Sequence, residues 1–107
     1  MPDDLPSGLV AYKRTALFDE VSLPAGLRRA HSTRPGVWAL IHVVEGALLY
    51  RIPELDYEQR LEPGVPGVVR PEQLHDVTPL GAVKFYVEFH AAQPPGGAPH
   101  REATGIG

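Results

Sequence analysis

Five histidines and no cysteine define the chemistry open to this chain. Thiolate metal sites, disulfides and cysteine nucleophiles are excluded, while neutral imidazole remains, the commonest side-chain metal ligand. His31 opens the segment "HSTRPGVW", three residues ahead of Arg34, and His75 closes "RPEQLH". Each stands where a polar turn runs into an apolar strand, a place that reads as the rim of a β-barrel. Together they are candidate metal or ligand-binding residues, the alternative being polar residues of an unoccupied mouth. Arg34 matches a carboxylate or oxyanion bidentately, or fixes its own loop through backbone carbonyls. Trp38 reads as a packing residue first and a wall of the ligand site second. His42 lies among apolar residues, as in a core or an interface, and His90 and His100 read as solvated. Glu88 is the best carboxylate for a third ligand by position, but its strand parity points it away from the core. No Ser-His-Asp order, phosphate loop or dinucleotide fingerprint accompanies these residues.

The elements that must position them are strands. "VWALIHVVE" (37–45) places Val37, Ala39, Ile41 and Val43 on one face and Trp38, Leu40, His42 and Val44 on the other. Both faces are largely apolar, as in a strand covered on both sides. A single glycine then leads into "ALLYRI" (47–52), which reads as a hairpin. "GLVAYKRTALF" (8–18) gives one or two short strands, "LRRAH" (27–31) an edge strand, and "YEQRLE" (57–62) and "VVR" (68–70) two more. In "AVKFYVEFHA" (82–91), Val83, Phe85, Val87 and Phe89 alternate with polar residues. That period is the signature of a half-buried antiparallel strand. "RPG" at 34–36 predicts a type II turn, because Pro35 fixes φ and Gly36 tolerates positive φ.

The 11 glycines and 12 prolines are spread along the chain as turn punctuation. Roughly seven to nine short antiparallel strands over about 90 residues predict an all-β fold, a small barrel or jelly roll. One domain is expected over residues 1–91, with 92–107 a flexible Pro/Gly-rich tail. A net charge of −3 leaves no electrostatic footprint for nucleic acid or an anionic membrane. No apolar run approaches the ~20 residues that span a bilayer, and "MPDDLPSGLV" lacks the features of a signal peptide. A cytoplasmic protein is expected. The doubly apolar strand 37–44 needs two covers, and a homodimer burying Trp38, Leu40 or His42 would supply the second.

Two segments carry a resemblance to the cupin superfamily. "HVVEGALLY" resembles the Glu-Gly closure of its first motif, and "PGVPGVVRPEQLH" the glycine-proline turn and single histidine of its second. In order and spacing, "LPAGLRRAHSTRPGVWALIHVVEGALLYRI", "EPGVPGVVRPEQLHDV" and "KFYVEFHA" are similar to the TehB/YeaR-like, tellurite-resistance-associated cupin-like family, over about residues 8–91. "HSTRPGVW" and "RPEQLHDV" are the specific parts. The resemblance implies a cupin-like double-stranded β-helix with His31 and His75 at its matching histidine positions. The chain departs from the metal-cupin pattern where a glutamate would fall near Ala39, and where Thr33 and Pro35 leave no second histidine in the first motif. Arg70 also stands where many cupins have proline. Half of a four-ligand set is therefore present, and water, a carboxylate or a ligand would have to complete the shell.

The leading expectation is a small stand-alone TehB/YeaR-like cupin that binds a divalent metal (zinc, iron, manganese or nickel), or a small molecule or oxyanion, in the barrel mouth. A part in the response to tellurite or oxidants is implied by the resemblance alone. Larger members of that family join the domain to a methyltransferase, for which this sequence has neither the length nor a glycine-rich loop. Two other readings stay open. One is a metal-dependent cupin enzyme of dioxygenase or isomerase type, with His31 and His75 holding the metal. The other is a metal-free ligand-binding or interaction module.

Overall fold

The computed structural model describes residues 5–24 and 32–92. The edge strand expected over 27–31, His31 itself and nearly all of the 92–107 tail lie outside those residues. Eight strands follow in chain order: β1 (Val10–Arg14), β2 (Phe18–Asp19), β3 (Trp38–Glu45), β4 (Leu48–Ile52), β5 (Tyr57–Leu61), β6 (Gly67–Val69), β7 (Asp76–Pro79) and β8 (Lys84–Ala91). The protein is all-β. Among the described residues the one helical element is a 3₁₀ turn, Pro53–Leu55, inside the β4–β5 hairpin, so no helix there is long and apolar enough to cross a membrane.

The strands form two antiparallel sheets. The first runs β1-β8-β3-β6, with β2 also pairing on β8, and the second runs β5-β4-β7. They share one core between them. The first sheet contributes Val37, Ala39, Ile41, Val43, Phe85, Val87 and Phe89, and the second contributes Leu48, Tyr50, Ile52, Leu61 and Val77. Those of the first sheet are Val37, just ahead of β3, and the alternate positions of β3 and β8 that the sequence pattern assigns to one face, since a period of two puts every second side chain on the same side. The two sheets stay open: no ladder among the described residues joins one to the other.

The hairpin expected at Gly46 is not formed. β3 pairs with β6 and β8 in the first sheet, whereas β4 pairs with β5 and β7 in the second. The chain turns a corner at Gly46 and passes from one sheet to the other. One residue is too short to return a strand alongside itself, and apolar residues on both sides of the break are each claimed by the common core. Gly46 has φ +78° and lies so close to the carbonyl of Ala82 that a Cβ would overlap that oxygen. Only glycine satisfies both conditions. The chain crosses between sheets again from β5 to β6, from β6 to β7 and from β7 to β8, so the strands interleave.

At the other end the sequence pattern is realised directly. The Val37 amide donates to the Arg34 carbonyl at 3.1 Å, and Gly36 has φ +78°, which makes residues 34–37 the expected tight turn with positive φ at its third position.

Candidate functional site

The site is built at the end of the sandwich where β4, β5 and β7 converge. Ile52 pairs with Tyr57 across β4 and β5, and Tyr50 with Val77 across β4 and β7. On the outer side, Arg51 donates two hydrogen bonds to Asp76, Nε to Oδ1 at 3.0 Å and an Nη to Oδ2 at 3.2 Å, which ties β4 to the start of β7. His75, one residue earlier, is thereby turned inward and is 3% exposed. Its Nδ1 lies 2.9 Å from the Gln73 carbonyl oxygen. A carbonyl only accepts, so Nδ1 carries the proton, and in the neutral ring Nε2 holds the lone pair.

Tyr50 stands between His75 and the space beyond. Its ring meets His75 edge-on at 5.8 Å and Tyr57 edge-on at 6.4 Å, and its hydroxyl donates to the Val68 carbonyl at 2.8 Å. The Tyr57 hydroxyl donates to Gln59 Oε1 at 2.9 Å. A cleft of about 210 Å³ opens where the edge strands β5 and β6 diverge. Tyr50, Ile52, Leu55 and Tyr57 form one wall. Val68, Arg70 and Gln73 form the other.

Two loops hold that second wall. Thr33, 4% exposed, donates from Oγ1 to the Val37 carbonyl at 2.7 Å and reaches the Arg70 carbonyl at 3.4 Å. The Glu72 amide donates to the Thr33 carbonyl and the Gln73 amide to the Arg70 carbonyl, each at 3.3 Å, and Thr33 bridges Pro71 in parallel. Glu72 adopts φ +61°, an uncommon conformation for a side-chain-bearing residue. Thr33, which the sequence reading treats only as a missing histidine, is the pin between the loops.

The residues singled out from sequence are dispersed. His75 is inside, beside the cleft, while His31 falls outside the described residues. Arg34 is exposed on its turn and does not line the cleft; its charge acts on Tyr12, whose phenol is raised chiefly by burial and lowered in smaller part by that guanidinium. Trp38 is half-buried on the outer face of the first sheet, opposite His90, and does not line the cleft either. Ala39, where a metal-cupin glutamate would stand, is packed into the core at 1% exposure. Arg70, Gln73, Tyr50 and Tyr57, which sequence reasoning did not select as site residues, line the cleft instead. Arg70 was legible only as a departure from the cupin pattern.

Glu88 points outward, as its parity requires, and gathers the two histidines of that face. His90 Nε2 lies 2.9 Å and His42 Nε2 3.4 Å from the same oxygen, Oε1. Burial acts to raise the Glu88 carboxyl, but the hydrogen bonds from His90 and His42 outweigh it and hold the group below its ordinary value. His42 stacks on Tyr86 at 4.9 Å, and the Arg14 guanidinium lies 5.0 Å over the same tyrosine. His42 is thus partly covered by neighbours on its own sheet.

A metal centre is not completed by these groups. Among the described residues no three histidine, aspartate or glutamate side chains are placed to hold a metal ion. His75 has its Nδ1 proton directed to the Gln73 carbonyl, the orientation common among metal-binding histidines.

These features define an all-β domain of two interleaved antiparallel sheets with an aromatic-walled cleft at one end. The sequence profile of the TehB-like domain matches residues 13–87, and the chain belongs to that family. A protein from E. coli (strain K12) of known crystal structure superposes with a TM-score of 0.75 at 26% identity, covering 85% of this chain and 98% of that one. TehB from Haemophilus influenzae superposes with a TM-score of 0.70 at 24% identity over 78% of this chain. The match takes in 31% of the TehB chain, so the likeness is one of fold in one part of a longer protein. None of the curated proteins matches the sequence.

Proposed function

We propose that this chain is a small-ligand-binding TehB-like domain, a cupin-like double-stranded β-helix in architecture, whose ligand enters the cleft beside His75. One observation carries the reading. Inward-facing Tyr50, Tyr57 and buried His75 gather beside a cleft with one aromatic and aliphatic wall and, facing it, Val68 with the polar Arg70 and Gln73. Sites for small molecules have that composition. The test is a titration of ¹⁵N-labelled protein with small carboxylates, phenols and oxyanions, tellurite among them, followed by two-dimensional NMR. Shifts centred on Tyr50, Tyr57, Gln73 and His75 are expected. If no compound moves those amides at millimolar concentration, the reading fails.

A second reading adds a divalent metal held by His75 Nε2 and His31, with water or ligand filling the remaining positions. The Nδ1 hydrogen bond to Gln73 supports it, because it fixes the tautomer whose Nε2 carries the lone pair a metal needs. Elemental analysis of protein prepared without chelator tests it. Near-stoichiometric metal that is lost in His31→Ala/His75→Ala is the expected result under this reading, and its affinity should fall as pH drops through the imidazole range near ~6.5. Absence of metal from the wild type leaves the cleft as a site for organic ligands alone.

A further inference from the structure

Resting on the cleft as the ligand site, we infer that its ligand is a small carboxylate with an apolar body, anchored by Arg70. Most cationic side chains of the described residues are engaged. Arg51 pairs with Asp76, Arg60 with Glu62 and Lys84 with Glu45, while Arg14 and Lys13 lie over the rings of Tyr86 and Phe89. Arg70 is exposed, lines the cleft, and makes no side-chain ion pair or hydrogen bond among the described residues. Its backbone carbonyl is held by two groups, accepting from the Gln73 amide and lying 3.4 Å from the Thr33 hydroxyl. The guanidinium therefore projects from a fixed base at the lip, with five donors in a planar fork that suits a carboxylate.

The opposite wall excludes the other ligand classes. Tyr50, Ile52, Leu55 and Tyr57 present rings and aliphatic groups to the space facing Arg70. An inorganic oxyanion needs donors around it on several sides, and here Arg70 and Gln73 are the polar side chains of one wall only. A cation would meet Arg70 directly. A wholly apolar molecule would fill the wall but leave the guanidinium to water. Glu54 and Asp56 flank Leu55 in sequence yet are exposed and do not line the cleft, so they do not oppose an anion inside it. Leu55 itself is 60% exposed on its 3₁₀ turn; a bound apolar body covers it. The volume of about 210 Å³ lies below the roughly 300–1,000 Å³ of sites for drug-sized molecules. That sets the scale at benzoate or hexanoate.

The experiment measures binding of benzoate and hexanoate, of their neutral amides, and of inorganic selenite, by NMR titration of wild type, Arg70→Gln, Arg70→Lys and Arg34→Gln. The carboxylates should bind wild type more tightly than their amides. Arg70→Gln should weaken the carboxylates about ten- to a hundredfold, the range of a lost charge-assisted bidentate contact, and leave the amides unchanged. Arg70→Lys should restore only part of the difference, and Arg34→Gln should behave as wild type. Carboxylate and amide binding alike, with Arg70→Gln indifferent, overturns the inference while the ligand-binding reading stands. Arg70-dependent selenite binding without the carboxylates overturns it in favour of an oxyanion site. Failure of every probe overturns both the inference and the reading it rests on.

Discussion

His75 and the pair His42 and His90 answer the same question in opposite ways. The first is sealed between the sheets with its Nδ1 committed to a backbone carbonyl, whereas the other two lie on the outer face with their Nε2 atoms turned to one carboxylate. The inner histidine is held by backbone and stands among aromatic rings. The outer ones are held by a charge that solvent partly screens, at side-chain exposures of 29% for His42, 12% for His90 and 27% for Glu88. Strand parity sends His42 and His90 outward from β3 and β8, whereas His75 is held inward by the loop just ahead of β7. The two placements leave an aromatic-walled cleft beside the inner histidine and a polar, self-satisfied row on the outer face.

The sharpest way to break this comparison is along β8, where the two faces alternate residue by residue. Phe89 is fully buried between the sheets, while Tyr86 and Glu88 lie outside. Phe89→Ala should cost about 3–5 kcal/mol, the range for emptying a core aromatic site. Tyr86→Ala should cost well under half of that, because its ring is only half-buried. Urea unfolding of the two variants decides it, and equal losses would mean that the outer face is packed like a core.

Much of this parity was legible in the sequence. The alternation of Val83, Phe85, Val87 and Phe89, and of Val37, Ala39, Ile41 and Val43, gave the inner face of both long strands, and the outward direction of Glu88 followed from the same count. The turn at Pro35-Gly36 and the polar turn-to-strand entry at His75 were also readable, since each depends on local chemistry. The exchange of sheets at Gly46 was not. Hydrophobic periodicity is identical in a hairpin and in a corner, and what distinguishes them is the contact of Gly46 with the Ala82 carbonyl, thirty-six residues away along the chain. The cleft was missed for a related reason. Tyr50 and Tyr57 come from the second sheet and Arg70 from a loop beyond the first, so nothing in their spacing announces that they face one another. His42, Glu88 and His90 likewise meet through the register of β3 with β8, in which Leu40 lies opposite Glu88 and Trp38 opposite His90.

A smaller effect sharpens the inner side of the comparison. The Tyr50 hydroxyl is a polar link from the second sheet to β6, and the residue is 1% exposed. Tyr50→Phe keeps the ring against His75 and Tyr57 but leaves the Val68 carbonyl without this donor. A loss of about 1 kcal/mol is expected, together with faster amide exchange in β6, because the edge strand is then less firmly held. If exchange in β6 is unchanged, the sheets are joined at this end by packing alone.

The smallest effect belongs to the outer cluster and is read in its pH dependence. Glu88 has its carboxyl lowered from an ordinary value of 4.5, since the hydrogen bonds from His90 and His42 outweigh the cost of burial. Arg14, in register with Glu88 on β1, adds a further positive charge to the same face. A group whose pKa is lower folded than unfolded binds fewer protons in the native state. Its stabilisation is therefore complete above the unfolded value and disappears as pH falls through the folded one. Glu88→Gln retains an oxygen to accept from both histidines but abolishes the charge. The variant should be less stable than wild type by under about 1 kcal/mol at pH 7, as is usual for a partly exposed pair, and the two should draw together as pH falls below the ordinary carboxyl range. Stability curves measured from pH 7 to pH 3 test this directly. A difference that persists undiminished into acid would show that Glu88 holds the face together by shape, as the inner residues do, and the distinction between the two faces would no longer be one of charge against packing.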